Sequence, residues 1–169
     1  MSPSPAIRIV SAADFDSGTA QTPGSERLAA ISAAQNVDTQ LWGGLFKVEP
    51  GARTGIHHHG EQETITFVLE GESLVIWGNQ GEFSATARAG DFIHVPARLP
   101  HMEINPSRTL PFRWVVVRST ATPIVVNLPD DTWPATAWHK VAPQAASNGR
   151  GPASAWSRFG AEVAHDKVG

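Results

Sequence analysis

The sequence predicts an all-β protein, an antiparallel sandwich or barrel. Short apolar and β-branched runs recur at a spacing of ~8–12 residues, as in sandwiches and barrels rather than alternating β/α units. Gly, Pro and Asn bound these runs, and 15 Gly with 13 Pro make about one residue in six of the 169. The charged fraction is only 17%, which favours turns and short strands over long solvated helices. The length fits one domain with a real core, and no internal repeat divides it.

The elements follow in order. Residues 7–10 (IRIV) are a candidate first strand, and 26–34 (ERLAAISAA) read as a second. Residues 41–49 (LWGGLFKVE) form a strand with a glycine kink, closed by Pro50-Gly51. Strands at 63–70 and 72–77 come next, then a turn at Gly78-Asn79-Gln80-Gly81. Residues 82–88 alternate Phe83, Ala85 and Ala87 with polar neighbours, as a half-buried strand should. Gly90-Asp91 opens a strand at 92–95 that Pro96 stops, and 112–118 and 124–128 complete the series. The expected organisation is an N-terminal arm (1–25), a barrel (26–128) and a C-terminal extension (129–169). The extension is rich in Ala, Ser, Gly and Pro. Its Trp133, Trp138 and Trp156 argue that parts of it pack on the barrel wall or on a second subunit.

Composition excludes several chemistries. A net charge of −3 offers no basic field for nucleic acid. With no Cys there is no disulfide, thiolate metal site or thiol nucleophile, and with no Tyr no phenol acid or base. Met1–Ala6 shows no signal peptide and no apolar stretch reaches a membrane span, so a cytoplasmic protein without membrane contact is expected.

Seven histidines are the lead. On a strand, His57 and His59 share one face while His58 takes the other. Two same-face imidazoles with a carboxylate close behind suit a mononuclear Fe(II), Mn, Zn, Ni or Cu site. His101, reached through a tight connection after Pro96, is placed to add a third imidazole from an adjacent strand.

Two spaced motifs carry a resemblance. Gly51, His57, His59, Glu63 and Gly71 stand in one, and Gly90, Pro96, His101 and Asn105 in the other. Here, over roughly residues 41–118, the sequence resembles the cupin superfamily. The resemblance implies an antiparallel jelly-roll β-barrel with a divalent metal ion (Fe(II), Mn, Zn or Ni) held by His57, His59, Glu63 and His101. The chain departs from the pattern twice. Seven residues instead of six separate Glu63 from Gly71, so counting back from Gly71 puts Thr64 at the carboxylate position. A bulge early in that strand keeps Glu63; otherwise the site is three-His, or Glu61 substitutes. Arg98 stands where the motif has Gly, which suggests a different loop conformation and places a cation near the mouth.

The other polar residues have plainer readings. His58 faces outward, His94 lines the cavity or sits on the outer face, and His139 and His165 are surface residues of the tail. Gln62 is a candidate for orienting a ligand. The implied function is a metal-dependent enzyme on a small-molecule substrate, with dioxygenase-like oxidation favoured. Non-redox lyase, isomerase or cyclase chemistry and a non-catalytic binding role are the alternatives. A homodimer is expected, as small cupins commonly pair. Metal affinity is expected to weaken below about pH 6, where imidazole protonates.

Overall fold

The computed structural model describes residues 6–141. Its strands are β1 (Glu26–Ile31), β2 (Trp42–Val48), β3 (His57–His58), β4 (Thr64–Glu70), β5 (Glu72–Trp77), β6 (Phe83–Arg88), β7 (Phe92–Val95), β8 (His101–Ile104), β9 (Phe112–Arg118) and β10 (Val126–Asn127). They form two five-stranded antiparallel sheets, ordered β1-β2-β9-β4-β7 and β10-β3-β8-β5-β6. The chain crosses repeatedly from one sheet to the other, giving the jelly-roll barrel. No helix among the described residues is long and apolar enough to cross a membrane.

Period-two patterning builds the inside. In β2, Trp42, Phe46 and Val48 are buried, and in β9 Phe112, Trp114, Val116 and Arg118. Continuous register stacks these residues across the first sheet: Trp42 against Arg118 against Thr64, and Phe46 against Trp114 against Val68. The aromatic members interlock. Phe46 stacks on Trp114 at 5.0 Å and Phe112 meets Trp114 edge-on at 4.6 Å.

A second apolar cluster lies on the outer side of the second sheet. Ile56, Ile76, Met102 and Ile104 are covered there by Trp133 and Ala137, with Trp138 packed against them. Trp133 is anchored by its indole N–H, which donates to Gly78 O at 2.9 Å. Its ring lies so close to Gly81 that a Cβ there would come within 2.8 Å of it. The first part of the extension is therefore barrel wall. Trp133→Ala is expected to cost about 3–5 kcal/mol, as for other buried tryptophans, measured by urea denaturation. Trp156 and His165 lie outside the described residues.

Three element expectations are corrected. Residues 7–10 form no strand, and Ile7 and Ile9 are 94% and 88% exposed; an isolated apolar run with no pairing edge gains nothing from extending. The strand expected over 26–34 stops at Ile31, where a 3₁₀ turn at Ala33–Gln35 ends on Asn36 in the left-handed region. The strand expected over 124–128 shrinks to Val126–Asn127, because residues 120–124 bond to side chains instead of a strand.

Candidate metal centre

His57 opens the short β3 and His59 directly follows it, and His57 sits directly across from His101 of β8. All three are buried, and their ring nitrogens lie within 4.8 Å of one another. Ring centroids are 4.3 Å apart for His57–His101 and 5.0 Å for each other pair. Each ring is fixed through Nδ1 to a backbone carbonyl: His57 to Gly55 at 3.0 Å, His59 to Ile124 at 3.1 Å and His101 to Leu99 at 2.8 Å. A carbonyl only accepts, so each Nδ1 carries the proton and each Nε2 presents a lone pair. Nε2 of His101 is buried without a hydrogen-bond partner. Three oriented nitrogen donors converging in this way fit a divalent ion, which His57, His59 and His101 would hold.

Burial holds the His57 imidazole well below the usual range, helped by the neighbouring His101 and the cationic Arg27 and Arg118. The His59 imidazole is lowered by burial, then by Arg118. Both rings therefore stay neutral, ready to ligate, to lower pH than exposed imidazoles. The sign for stability follows. The unfolded chain protonates these residues below about pH 6.5 while the folded one resists, so metal-free stability is full above that pH and falls as pH drops through it. The slope is up to about 1.4 kcal/mol per pH unit for each residue. Denaturant midpoints in chelator between about pH 7.5 and pH 5 check this; a flat profile contradicts it.

Glu63, expected as the fourth ligand, is placed elsewhere. Its side chain is 64% exposed and pairs with His94 Nε2 at 3.3 Å on the outer face. The reason is register. β4 alternates regularly from Thr64 to Val68, and its irregularity falls at the far end, between Val68 and Glu70, not before Thr64. Thr64 therefore faces inward, as counting from Gly71 indicates. Glu61 is also outside, paired with Arg98. Arg98 itself adopts a left-handed φ of 61°, so the loop keeps a glycine-type backbone despite the substitution.

The remaining motif residues have structural roles. His58 turns away and accepts from the Gly60 amide at 3.0 Å. Asn105 ties the β8–β9 loop, donating to Val48 O and Leu110 O. Gln62 is fully buried; it accepts from Ile124 N at 2.5 Å and donates to Thr122 O at 2.8 Å and to the Thr120 hydroxyl. It thereby pins the segment whose Ile124 carbonyl orients His59. His139 is exposed.

The interior also holds charges that the motifs do not announce. Glu103, buried on the same face of β8 as His101, brings Oε1 to 3.6 Å from His101 Nε2. Its Oε2 accepts from Thr54 Oγ1 at 2.9 Å, and the same hydroxyl accepts from the Glu103 amide. Arg27 of β1 and Arg118 of β9 are 1% and 2% exposed. Arg27 donates to Ala20 O at 2.5 Å and Arg118 to Ile124 O at 2.8 Å. The signal for Glu103 is its spacing of two from His101 on one strand. The arginines give no such signal, since each occupies an inward position that the pattern reserves for apolar residues.

The cavity is lined by His57, His59, Glu103, Arg27 and Arg118, with Thr64 and Thr66 and apolar walls of Phe46, Val75, Ile93, Val95, Trp114 and Val116. About 20 Å³ of it is open to the centre of a water molecule.

Among solved structures, the fold is similar to that of oxalate oxidase (24% identity, TM-score 0.56, 68% of this chain and 60% of that one). It is also similar to Bacillus subtilis oxalate decarboxylase (22%, TM-score 0.55, 64% of this chain and 28% of that one). A third is the polyketide cyclase RemF of Streptomyces resistomycificus (21%, TM-score 0.58, 76% and 91%). The chain thus spans less than two thirds of the oxalate oxidase and under a third of the decarboxylase. A comparison with curated protein sequences finds no match. Residues 44–118 match the cupin domain family, and this stretch, which holds both motifs and all three inward histidines, is a cupin domain.

Proposed function

We propose that the protein is a mononuclear metal-dependent enzyme acting on a small organic substrate, with dioxygenase-like oxidation the favoured reaction. The observation that carries the reading is the convergence of three buried, Nε2-presenting imidazoles, two of which, His57 and His59, line a small, apolar-walled cavity. A bound divalent ion would supply a Lewis acid to the substrate and, where the ion is redox-active, an electron source for dioxygen. His57, His59 and His101 leave other positions on the ion open, so substrate and a second small molecule fit side by side. Phe46, Trp114 and Val116 exclude bulk water, which strengthens every charge interaction inside. Mn(II) centres are present in the Bacillus subtilis oxalate decarboxylase, and Mn joins Fe(II), Zn and Ni as a candidate here.

A second reading, lyase or cyclase chemistry on a non-redox ion, is favoured by Glu103. A buried carboxylate 3.6 Å from His101 Nε2 is placed to take a proton from a bound substrate. Metal analysis of the purified protein, followed by oxygen-uptake assays on catechol-like and β-dicarbonyl compounds, separates the two. Iron with oxygen consumption supports the first, and tightly held Zn or Ni without it supports the second. No metal after reconstitution overturns both.

The homodimer belongs to the same reading. Ile65 faces Val117 and Phe67 faces Phe92 in register, forming an apolar outer stripe on the first sheet. Ile65→Lys is expected to halve the mass seen by light scattering. An unchanged mass removes this surface from the interface. A cytoplasmic location is tested by cell fractionation.

A further inference from the structure

The wall facing the histidines has donors without acceptors. Nε of Arg27, Nε of Arg118, the hydroxyls of Thr64 and Thr66 and the Trp114 indole N–H are buried with no hydrogen-bond partner among the described residues. All five residues line the cavity. They come from β1, β4 and β9 of one sheet, opposite the strands that carry the imidazoles. Buried donors are nearly always satisfied, and the one carboxylate within reach, Glu103, already accepts from Thr54 and faces His101.

The charge count points the same way. Two guanidinium groups and one carboxylate leave the metal-free cavity at plus one, and a divalent ion raises that to plus three. Each guanidinium is anchored elsewhere through a single Nη and lies over a ring, Arg27 over Phe46 at 5.1 Å and Arg118 over Trp42 at 5.6 Å. Arg118 Nη2 has only a long 3.4 Å contact to His59 Nε2. A ligating His59 gives up that lone pair, which adds a sixth donor. Burial lowers Arg27 to about 10 and Arg118 to about 9, so both remain cationic at neutral pH.

We propose that Arg27, Arg118, Thr64 and Thr66 form an oxyanion subsite that seats the carboxylate of a small organic acid beside the imidazoles. This names the substrate class of the proposed enzyme and rests on that reading for the ligand's contact with the ion. A carboxylate supplies four acceptor positions in a plane, which matches guanidinium donors flanked by hydroxyls. A divalent ion at the imidazoles takes a second oxygen of the same molecule. The small cavity restricts the acid to a few carbons.

The test is calorimetric titration of the full chain, metal-free and Mn(II)-loaded, with malonate, malonamide and inorganic phosphate. Malonate is expected to bind both forms, and more tightly when Mn(II) is present; the neutral malonamide is expected not to bind. Arg27→Lys keeps the charge but loses the planar fork, and is expected to weaken malonate at least tenfold. Thr66→Val, which removes one hydroxyl at constant volume, is expected to weaken it about threefold. Circular dichroism and metal content verify each variant, and Thr66→Val decides alone if Arg27→Lys does not fold. Absence of malonate binding to the metal-free wild type, equal affinity in the variants, or tighter binding of phosphate overturns the subsite. Failure to load Mn(II) overturns the metal reading instead, and the metal-free titration still judges the subsite.

Discussion

His57→Ala combined with His101→Ala is expected to abolish metal binding, whereas His58→Ala is expected to leave it largely intact. The expected readout is metal stoichiometry after dialysis, near one for wild type and His58→Ala and near zero for the double variant. The contrast follows from the pleat. His57 and His59 share the inner face, while His58 sits between them, turned out and engaged by the Gly60 amide. Removing two of three donors leaves His59 alone, and a single imidazole does not retain a divalent ion through dialysis. Apolar substitution also relieves the crowding of three rings with centroids 4.3–5.0 Å apart, so the double variant is expected to fold. Equal loss in all three proteins means the facing of β3 is wrong.

Glu103→Gln is expected to lower metal affinity by about 10–100-fold, the usual effect of losing a polar group that supports a ligand. Glu63→Gln is expected to leave it unchanged. Glu103 is the one buried carboxylate among the described residues, with an oxygen 3.6 Å from His101 Nε2. Glutamine preserves shape and the Thr54 bond while deleting the charge that offsets the ion. It also leaves Arg27 and Arg118 without an anion, so thermal denaturation must accompany the competition titration. Should Glu63→Gln prove the damaging change, the carboxylate is supplied by β4 after all and the loop before Thr64 rearranges on binding.

What the sequence made legible was what repeats or is spaced. The strands over 72–77, 92–95 and 112–118 are found at the expected bounds because alternation and turn residues agree there. The inward trio of His57, His59 and His101 was readable for the same reason, as two period-two neighbours and a residue after a tight turn. Glu63 stands on the outer face through a single residue of register, since one step on a strand exchanges the two faces. Thr64 announced this through its distance from Gly71. The arginines were illegible: nothing local marks an inward arginine, and its burial depends on partners from β2 and the 120–124 segment. Trp133 and Trp138 were readable as packed, though only the fold shows that they cover the second sheet.

One carbonyl has a wider reach than its place suggests. Ile124 O accepts from His59 Nδ1 at 3.1 Å and from Arg118 Nη1 at 2.8 Å. Gln62 clamps the same residue by its amide. His59, the proposed ion ligand, and Arg118, the proposed anion donor, thus hang from a single carbonyl. If both sites fill as proposed, this carbonyl is where their affinities are expected to couple, and by thermodynamic reciprocity each then raises or lowers the other by the same factor. A change at Gln62 is expected to alter both together.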